Sequence, residues 1–539
     1  MNPRATVLTA IVLCSALYLP YLGSIEPRGE EPRRILPART MIESGDWIVP
    51  KIGGAVYQKK PPLINWSIAA AFLVTGTRSD WAARLPSVLW LTSFVVTAAL
   101  ALRRRFGETG ALSTGLFFVT TLAMMDKGRT AEIEAMYAAQ TGIAFVLWAV
   151  WWSEGKLWRA YTIPWIFLGL GMLTKGPVHL ALFYGTAVPA LVFSRRLKEL
   201  LSLPHLTGLL LMAAVFLPWT LLNLQLTGDP GKTTGVWAGE AAERIRFADL
   251  NWKSWLLRPV QVAGDLLPWT PLLILTWWQT RSLPGPADRP PEAAQWDHVI
   301  RGAGWGVVFG LAVLLLLPHG SARYCQPLFP ALFLWTVHQF NRLGEASRSE
   351  IDRQWAQANL AGGWLAFVVM LSAAVAVPLL LQSAWLPGGL AALVCLAIAL
   401  LPHLPGREKS ASAPLLHTCL VMAGFAGGGL LHAGVYMDQK GDLRQNGRTM
   451  ASLFPDPDRP LIFYKTGYFR SLLYVRRPYR ELNSGTQLRP GPAYLVMPEK
   501  ELASKSILAL QQSHVVTEMA RPIWEERKLA ILRIDPKNR

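Results

Sequence analysis

Apolar runs of near-bilayer length alternate with short charged loops along most of this chain. They are Ala5–Gly23, Arg84–Leu102, Ala111–Met125, Ala135–Trp152, Tyr161–Thr174, Val178–Phe193, Leu206–Leu226, Val260–Trp278, Gly302–Leu317, Pro327–Phe340, Gly362–Leu381, Leu386–Leu401 and Leu415–Val435. A helix needs about 20 apolar residues to cross a bilayer core, so the pattern predicts an all-α polytopic membrane protein of about thirteen spans. The first run is read as a retained span, because no small-x-small cleavage site precedes the charged loop that follows it. From Asp438 the pattern becomes that of a soluble domain. Pro460–Lys465, Ala493–Pro498 and Lys528–Ile534 are short apolar runs that predict buried strands, and Ser504–Gln512 between them predicts a helix. The expected organisation is a transmembrane domain over 1–437, carrying an outer loop at 24–82, and a small C-terminal α/β domain over 438–539.

Composition sharpens this picture. Apolar residues make up 52% of the chain and charged residues 16%. The net charge of +18 would suit a nucleic-acid partner, but the basic residues are scattered over many short loops. That is the distribution of the positive-inside rule, and nucleic acid is excluded as a partner. With Arg4 inside, Arg103–Arg105, Lys156 with Arg159, Arg195–Lys198, the loop with Arg342, Arg348 and Arg353, and the loop with Arg407 and Lys409 all fall on one face. This holds only if Pro62–Thr77 lies along the interface. The run is short, opens on prolines and is flanked by Arg78 and Asp80, as an interfacial segment would be. The loop Thr227–Arg258 and the C-terminal tail then lie outside. Cys14, Cys325, Cys395 and Cys419 sit in or beside apolar runs, which argues against a disulfide framework or a CxxC metal site. No internal repeat is visible, which weakens a transporter reading.

The first outer loop, Glu26 to Trp66, carries both signs of charge at high density with Pro and Gly punctuation. A connector between spans needs only a few residues. Acids beside fixed cations suit transfer of a group away from a phosphate. Four clusters fall on the outer face: Glu30-Glu31 with Arg33 and Arg34; Tyr57-Gln58-Lys59-Lys60 before Pro61-Pro62; Arg129 to Glu134; and His319 with Arg323-Tyr324. Charged residues at span ends more often anchor a helix in the headgroup layer, and that reading applies to any single Arg or Lys here. Glu132 and Glu134 stand at alternate positions of a helix, so they point different ways. Trp148, Trp151 and Trp152 are read as interfacial belt residues.

GDWIVPKIGG…YQKKPPLINW, followed by WAARLPS, resembles a signature of the bacterial lipid A aminoarabinose transferases, relatives of the protein O-mannosyltransferases. GRTAEIEAM, DLLPWTPLL and SARYCQPLFPAL are similar to later segments of the same family. The resemblance covers roughly the first two-thirds of the chain. It implies a GT-C fold with a periplasmic C-terminal domain, in the bacterial inner membrane. It also implies a glycosyltransferase acting on a polyprenyl-phosphate-linked sugar donor, with inversion. The acceptor stays open among a lipid, a glycan and a protein. Two departures stand out. Glu30-Glu31 and then Pro32 replace the family's Asp-Glu before an Arg, which puts Glu30 at the catalytic aspartate, and Glu134 stands where Asp is common.

On this resemblance Glu30 is the candidate base and Glu134 the second acid, which orients the acceptor or balances charge. Lys60, Arg323 and Arg129 are candidates to hold the departing phosphate. Tyr57, Tyr324, Glu31, Arg33 and Glu132 are candidates for substrate binding. No cofactor is required. A divalent cation between Glu30 and Glu134 is the lesser alternative, since Lys and Arg already supply positive charge. The rival reading is a transporter or flippase of lipid-linked sugars, which would place charge at mid-span.

Overall fold

The computed structural model describes residues 3–228, 250–281, 291–346, 348–381, 385–401, 413–439, 442–466, 470–475, 479–482, 491–524 and 527–537, with positions 235, 239, 242, 243 and 246. Half of the expected outer loop at 227–258, and Arg407 and Lys409, lie outside them. The chain divides into two compact units. The first is Met1–Leu22, Lys59–Ser67 and Arg84–Tyr436; the second is Gly23–Gln58, Ile68–Ala83 and Met437–Arg539.

The first unit is helical. Its elements include α1 (Pro3–Tyr18), α4 (Asp80–Ala101), α5 (Arg103–Val119), α6 (Leu122–Lys127), α7 (Ile133–Ser153), α8 (Leu157–Thr174), α9 (Val178–Phe193) and α10 (Leu203–Thr227). Five helices among the described residues are long and apolar enough to cross a membrane: α4, α7, α10 and the segments Ala294–Leu316 and Asn359–Leu380. Other apolar helices among the described residues are shorter, at 10–17 residues. One reason is visible at Val260–Trp278. That run is two helices, Trp252–Asp265 and Thr270–Thr280. Pro268 stands between them and has no N–H for a helical bond.

Small residues set the helix packing. A Cβ on Gly208 of α10 would lie 1.8 Å from the Tyr161 carbonyl oxygen of α8, so only glycine allows that approach. Gly302 and Gly306 play the same part, meeting Thr186 and Ala190 of α9. Trp148 and Trp152 are fully buried and stacked, with ring centroids 5.4 Å apart. Trp152 also donates to Glu199 at 2.8 Å. These two are core residues and not belt residues, because their face of α7 is covered by protein.

The second unit holds a six-stranded sheet. Its strands are β3 (Leu461–Tyr464), β4 (Tyr479–Leu482), β5 (Ala493–Pro498), β6 (His514–Ala520), β7 (Ile523–Trp524) and β8 (Arg527–Pro536). The order is β4-β3-β5-β8-β6, with β7 paired to β8. β3 runs parallel to β4 and β5, while β5 and β6 run antiparallel to β8. Ile462, Tyr464, Leu495, Met497, Leu532 and Ile534 form the core with Ile507 and Leu510 of the helix Lys505–Ser513. The α/β expectation for this region is met, and β3, β5, β8 and the helix fall where the apolar runs predict. β6 was not legible as a strand, because its residues are mostly exposed or half-buried at the sheet edge.

The same unit contains α2 (Pro32–Ser44) and a two-stranded hairpin, β1 (Lys51–Ile52) and β2 (Ala55–Val56). The GDW motif explains this stretch. Gly45 takes φ 72° and caps α2, donating to the Met41 carbonyl at 3.0 Å. Asp46 then accepts from the Ile48 and Val49 amides and from Lys51 at 2.7 Å. Although burial works against it, Lys51 and the two amides hold its carboxyl below the usual range. The helix α3 (Leu63–Thr75) begins right after the paired prolines. Its 13 residues rise about 20 Å, less than the roughly 30 Å of a hydrocarbon core. A short interfacial helix, as expected for Pro62–Thr77, fits that length.

Candidate active site

Each unit carries its own set of charged residues. In the second unit, Glu30 precedes α2 and is clamped by Arg33 at 2.7 Å and Arg34 at 3.5 Å. Its side chain is one-third exposed. Glu31 is fully buried and accepts the Arg28 amide at 2.9 Å. It therefore supports the turn into α2, and a direct contact with substrate does not fit its burial. Tyr57 belongs to the same neighbourhood. Burial raises its phenol pKa, with Arg34 as the main opposing influence. Its hydroxyl stays protonated at neutral pH and is a hydrogen-bond donor.

The first unit gathers the other candidates. Glu134, in the first turn of α7, is 5% exposed and lies between Lys175 at 3.2 Å and Arg323 at 3.6 Å. Glu132 stands at the N-terminal boundary of α7, where its side chain makes no capping hydrogen bond and turns instead to Lys127 at 2.7 Å. The two acids diverge, as their spacing requires. Burial disfavours the Lys127 ammonium, but Glu132 outweighs it and holds the lysine pKa above its usual value. Arg323 follows the same pattern, with Glu134 overcoming the effect of burial. Tyr324 lies beneath Lys175, whose ammonium is 4.8 Å from the ring centre. Lys60 is half-buried and Lys59 exposed, immediately before the prolines that open α3.

Lys175 was not among the sequence candidates. It stands at the turn between α8 and α9, with its side chain 10% exposed. Tyr137 of α7 fixes that turn: its hydroxyl donates to the Gly176 carbonyl at 3.0 Å and accepts from the His179 amide at 2.7 Å. One signal was available in the sequence. By charge alternation this turn lies on the outer face, where a lone lysine runs against the positive-inside rule.

Arg129 has a different place from the one expected. It is 7% exposed and donates to the carbonyls of Leu17, Tyr18 and Pro20, at 3.4, 2.9 and 2.6 Å. Arg84, from the ARLPS motif, donates to the Leu22 carbonyl at 2.7 Å. These two arginines hold the carbonyls that trail from the end of α1, where cations are favoured. The guanidinium of Arg129 is thus engaged by backbone and is an anchor. A divalent cation does not fit Glu134, whose carboxylate already faces two cations. Among the described residues no three His, Cys, Asp or Glu side chains group as metal ligands.

This arrangement suits anion handling. Lys175 and Arg323 are drawn together by one buried carboxylate. A phosphate could join that cluster with its charge already offset. Comparisons with known proteins agree with this chemistry. Residues 59–221 match the family model "Dolichyl-phosphate-mannose-protein mannosyltransferase". A relative from Serratia proteamaculans, named as an undecaprenyl phosphate-alpha-4-amino-4-deoxy-L-arabinose arabinosyl transferase, is 26% identical over 51% of this chain and 50% of its own length. One of the same name from an Enterobacter species is 25% identical over 67% of this chain and 64% of its own. The chain thus spans about half to two-thirds of the length of these curated relatives. The crystal structure of ArnT from Cupriavidus metallidurans bound to undecaprenyl phosphate covers 98% of both chains, with TM-score 0.68 and 19% identity. The fold is the GT-C fold of the aminoarabinose transferases. The resemblance read from the KPPL and ARY segments stands.

Proposed function

We propose that this protein is an integral membrane glycosyltransferase that moves a sugar from a polyprenyl-phosphate carrier to a lipid acceptor on the outer face of the bacterial inner membrane, with inversion. The observation that carries the reading is the Lys175–Glu134–Arg323 cluster, set in a fold shared with a protein crystallised with undecaprenyl phosphate. The polyprenyl phosphate leaves as an anion. Lys60, Arg323 and Lys175 are the cations assigned to it, each able to make charge-assisted hydrogen bonds to phosphate oxygens. Glu134 keeps Arg323 and Lys175 in place while the phosphate is absent, which is a positioning role.

Glu30 is the assigned base. It takes the proton from the acceptor hydroxyl as that oxygen attacks the anomeric carbon, and the bond to phosphate breaks on the opposite side. Arg33 and Arg34 hold the carboxylate in direction. Glu30, one-third exposed, is the carboxylate assigned, and not Glu31, which is fully buried. Glu31, Glu132 and Arg129 leave the set of direct substrate contacts, while Tyr57, Arg33 and Tyr324 remain in it.

The test compares Glu30→Gln with Glu31→Gln in purified protein, with a labelled polyprenyl-phosphate sugar at saturation and release of free polyprenyl phosphate as the readout. Glu30→Gln should retain donor binding and lose about 10²–10⁴-fold in transfer, the usual range for a general base. Glu31→Gln should lower stability more than turnover. Transfer unaffected by Glu30→Gln would remove the base from this loop.

A further inference from the structure

In the first unit, the helices Thr270–Thr280 and Pro291–Leu316 flank a groove of about 510 Å³. The helix Phe329–Ala346 packs against both and forms its floor. The volume falls within the usual range of small-molecule sites, about 300–1,000 Å³. The lining is apolar except at Arg301. Trp277 stands on one wall and Trp305 on the other, each more than half exposed, with Trp335 on the floor.

Arg301 is the informative residue. It lies within Ala294–Leu316, one of the segments long and apolar enough to cross a membrane. An arginine inside a span is costly and is normally paired or turned toward water. Among the described residues Arg301 makes neither an ion pair nor a hydrogen bond, and it is exposed. Asp297, one turn earlier on the same helix, lies 3.8 Å from His338 instead. A neighbour fixes the level of Arg301. The guanidinium of Arg105 lies 5.3 Å from the ring centre of Trp296, and Arg103–Arg105 fall on the inner face by charge alternation. Arg301 comes five residues after Trp296, about 7.5 Å deeper along the helix. Trp305 follows one turn deeper still, as suits an aromatic side chain below the headgroups. The other wall repeats the pattern. The amide of Arg281 donates to the Trp277 carbonyl at 3.2 Å, so Arg281 stands one turn beyond Trp277, toward the inner face. Its guanidinium is 5.6 Å from the Trp278 ring centre and, among the described residues, makes no ion pair.

We propose that this groove binds one anionic phospholipid of the inner leaflet, with its phosphate on Arg301 and an acyl chain between Trp277 and Trp305. Charge complementarity selects the occupant. A head with net negative charge suits Arg301 and Arg281 together, whereas the ammonium of a zwitterionic head would face them. A helix of a partner protein fits less well. Helices in membranes approach closely through small residues, and here a tryptophan stands out from each wall. By the same charge alternation, the groove opens on the face opposite Lys175, Glu134 and Arg323, so the assignment does not depend on the glycosyl-transfer reading.

Native mass spectrometry of the full chain in detergent, titrated with dioleoyl phosphatidylglycerol and with dioleoyl phosphatidylethanolamine, tests the site. The wild type should bind one phosphatidylglycerol more tightly than phosphatidylethanolamine by about fivefold, the worth of one arginine at an anionic headgroup. Arg301→Gln should remove that preference and leave phosphatidylethanolamine binding unchanged. Val308→Trp, at a position 60% exposed on the second wall, fills the groove and should remove the tight site. Arg159→Gln changes another exposed arginine of the inner face, outside the groove lining, and should keep the wild-type preference. Equal binding of the two lipids by the wild type, a preference that survives Arg301→Gln, or an equal loss in Arg159→Gln overturns the site. One-for-one displacement of the bound phosphatidylglycerol by polyprenyl phosphate would overturn it in favour of the donor. A dimer that Val308→Trp dissociates would overturn it in favour of a second copy of the chain.

Discussion

At the level of single residues, the outcome for each charged side chain depends on what surrounds it. Arg129 and Arg323 look alike in sequence, each at the mouth of an apolar run. Arg129 faces three carbonyls and Arg323 faces a carboxylate beside a tyrosine. Arg129→Ala should therefore destabilise the protein by roughly 3 kcal/mol, since stranded buried acceptors cost about 1–3 kcal/mol each. Thermal unfolding in detergent reads this, and donor KM in the surviving protein should be unchanged. A near-native melting temperature with a raised donor KM would return Arg129 to the phosphate site. Lys60→Ala, Lys175→Ala and Arg323→Ala should each weaken use of the donor by about 1.5–3 kcal/mol, the worth of one charge-assisted contact. Lys59→Ala, at an exposed position, should do little. Steady-state donor kinetics on the four proteins would decide, and wild-type behaviour of Lys175→Ala would limit its part to holding Glu134.

Elements here are shaped by glycine and proline at a few positions. The hairpin between β1 and β2 turns through Gly53 and Gly54, with φ of 58° and 81°. Both lie in the region that costs an L-residue about 1–2 kcal/mol. A Cβ on Gly53 would also come 2.8 Å from the Tyr479 ring, whereas one on Gly54 would meet nothing within 4 Å. Gly53→Ala should thus destabilise the unit more than Gly54→Ala. Differential scanning fluorimetry of the two variants tests the ranking, and equal losses would mean that backbone strain alone decides. Periodicity predicted β3, β5, β8 and the helix Lys505–Ser513, because their buried faces are apolar. It did not predict β6, whose pairing with β8 comes from backbone bonds that no side-chain pattern records.

For the whole molecule, charge alternation makes the clearest claim. Arg103–Arg105 and Arg195–Lys198 should lie on one side of the membrane, opposite Glu26–Lys60 and the chain beyond Asp438. Cysteine accessibility from each face tests this. The four natural cysteines are buried, so background labelling should be low. Labelling at 103–105 from the same side as the tail would make α3 a crossing helix. The division into units adds something that linear order hides. Two stretches of the first outer loop, Gly23–Gln58 and Ile68–Ala83, group with the C-terminal unit in one compact body, across more than 350 residues of intervening chain.

The sequence by itself determined the fold class of this protein, its helical membrane portion and three of the six strands in its last hundred residues, β3, β5 and β8. Those follow from apolar periodicity and local motifs, which act between neighbours along the chain. Tertiary structure alone decided the roles. It joined Lys175 to Glu134 across 41 residues and Arg323 to Glu134 across 189. It turned Arg129 into an anchor and buried Glu31 while leaving Glu30 one-third exposed. A charge acquires its function from the groups within a few ångströms of it, and for these residues those groups come from elsewhere in the chain.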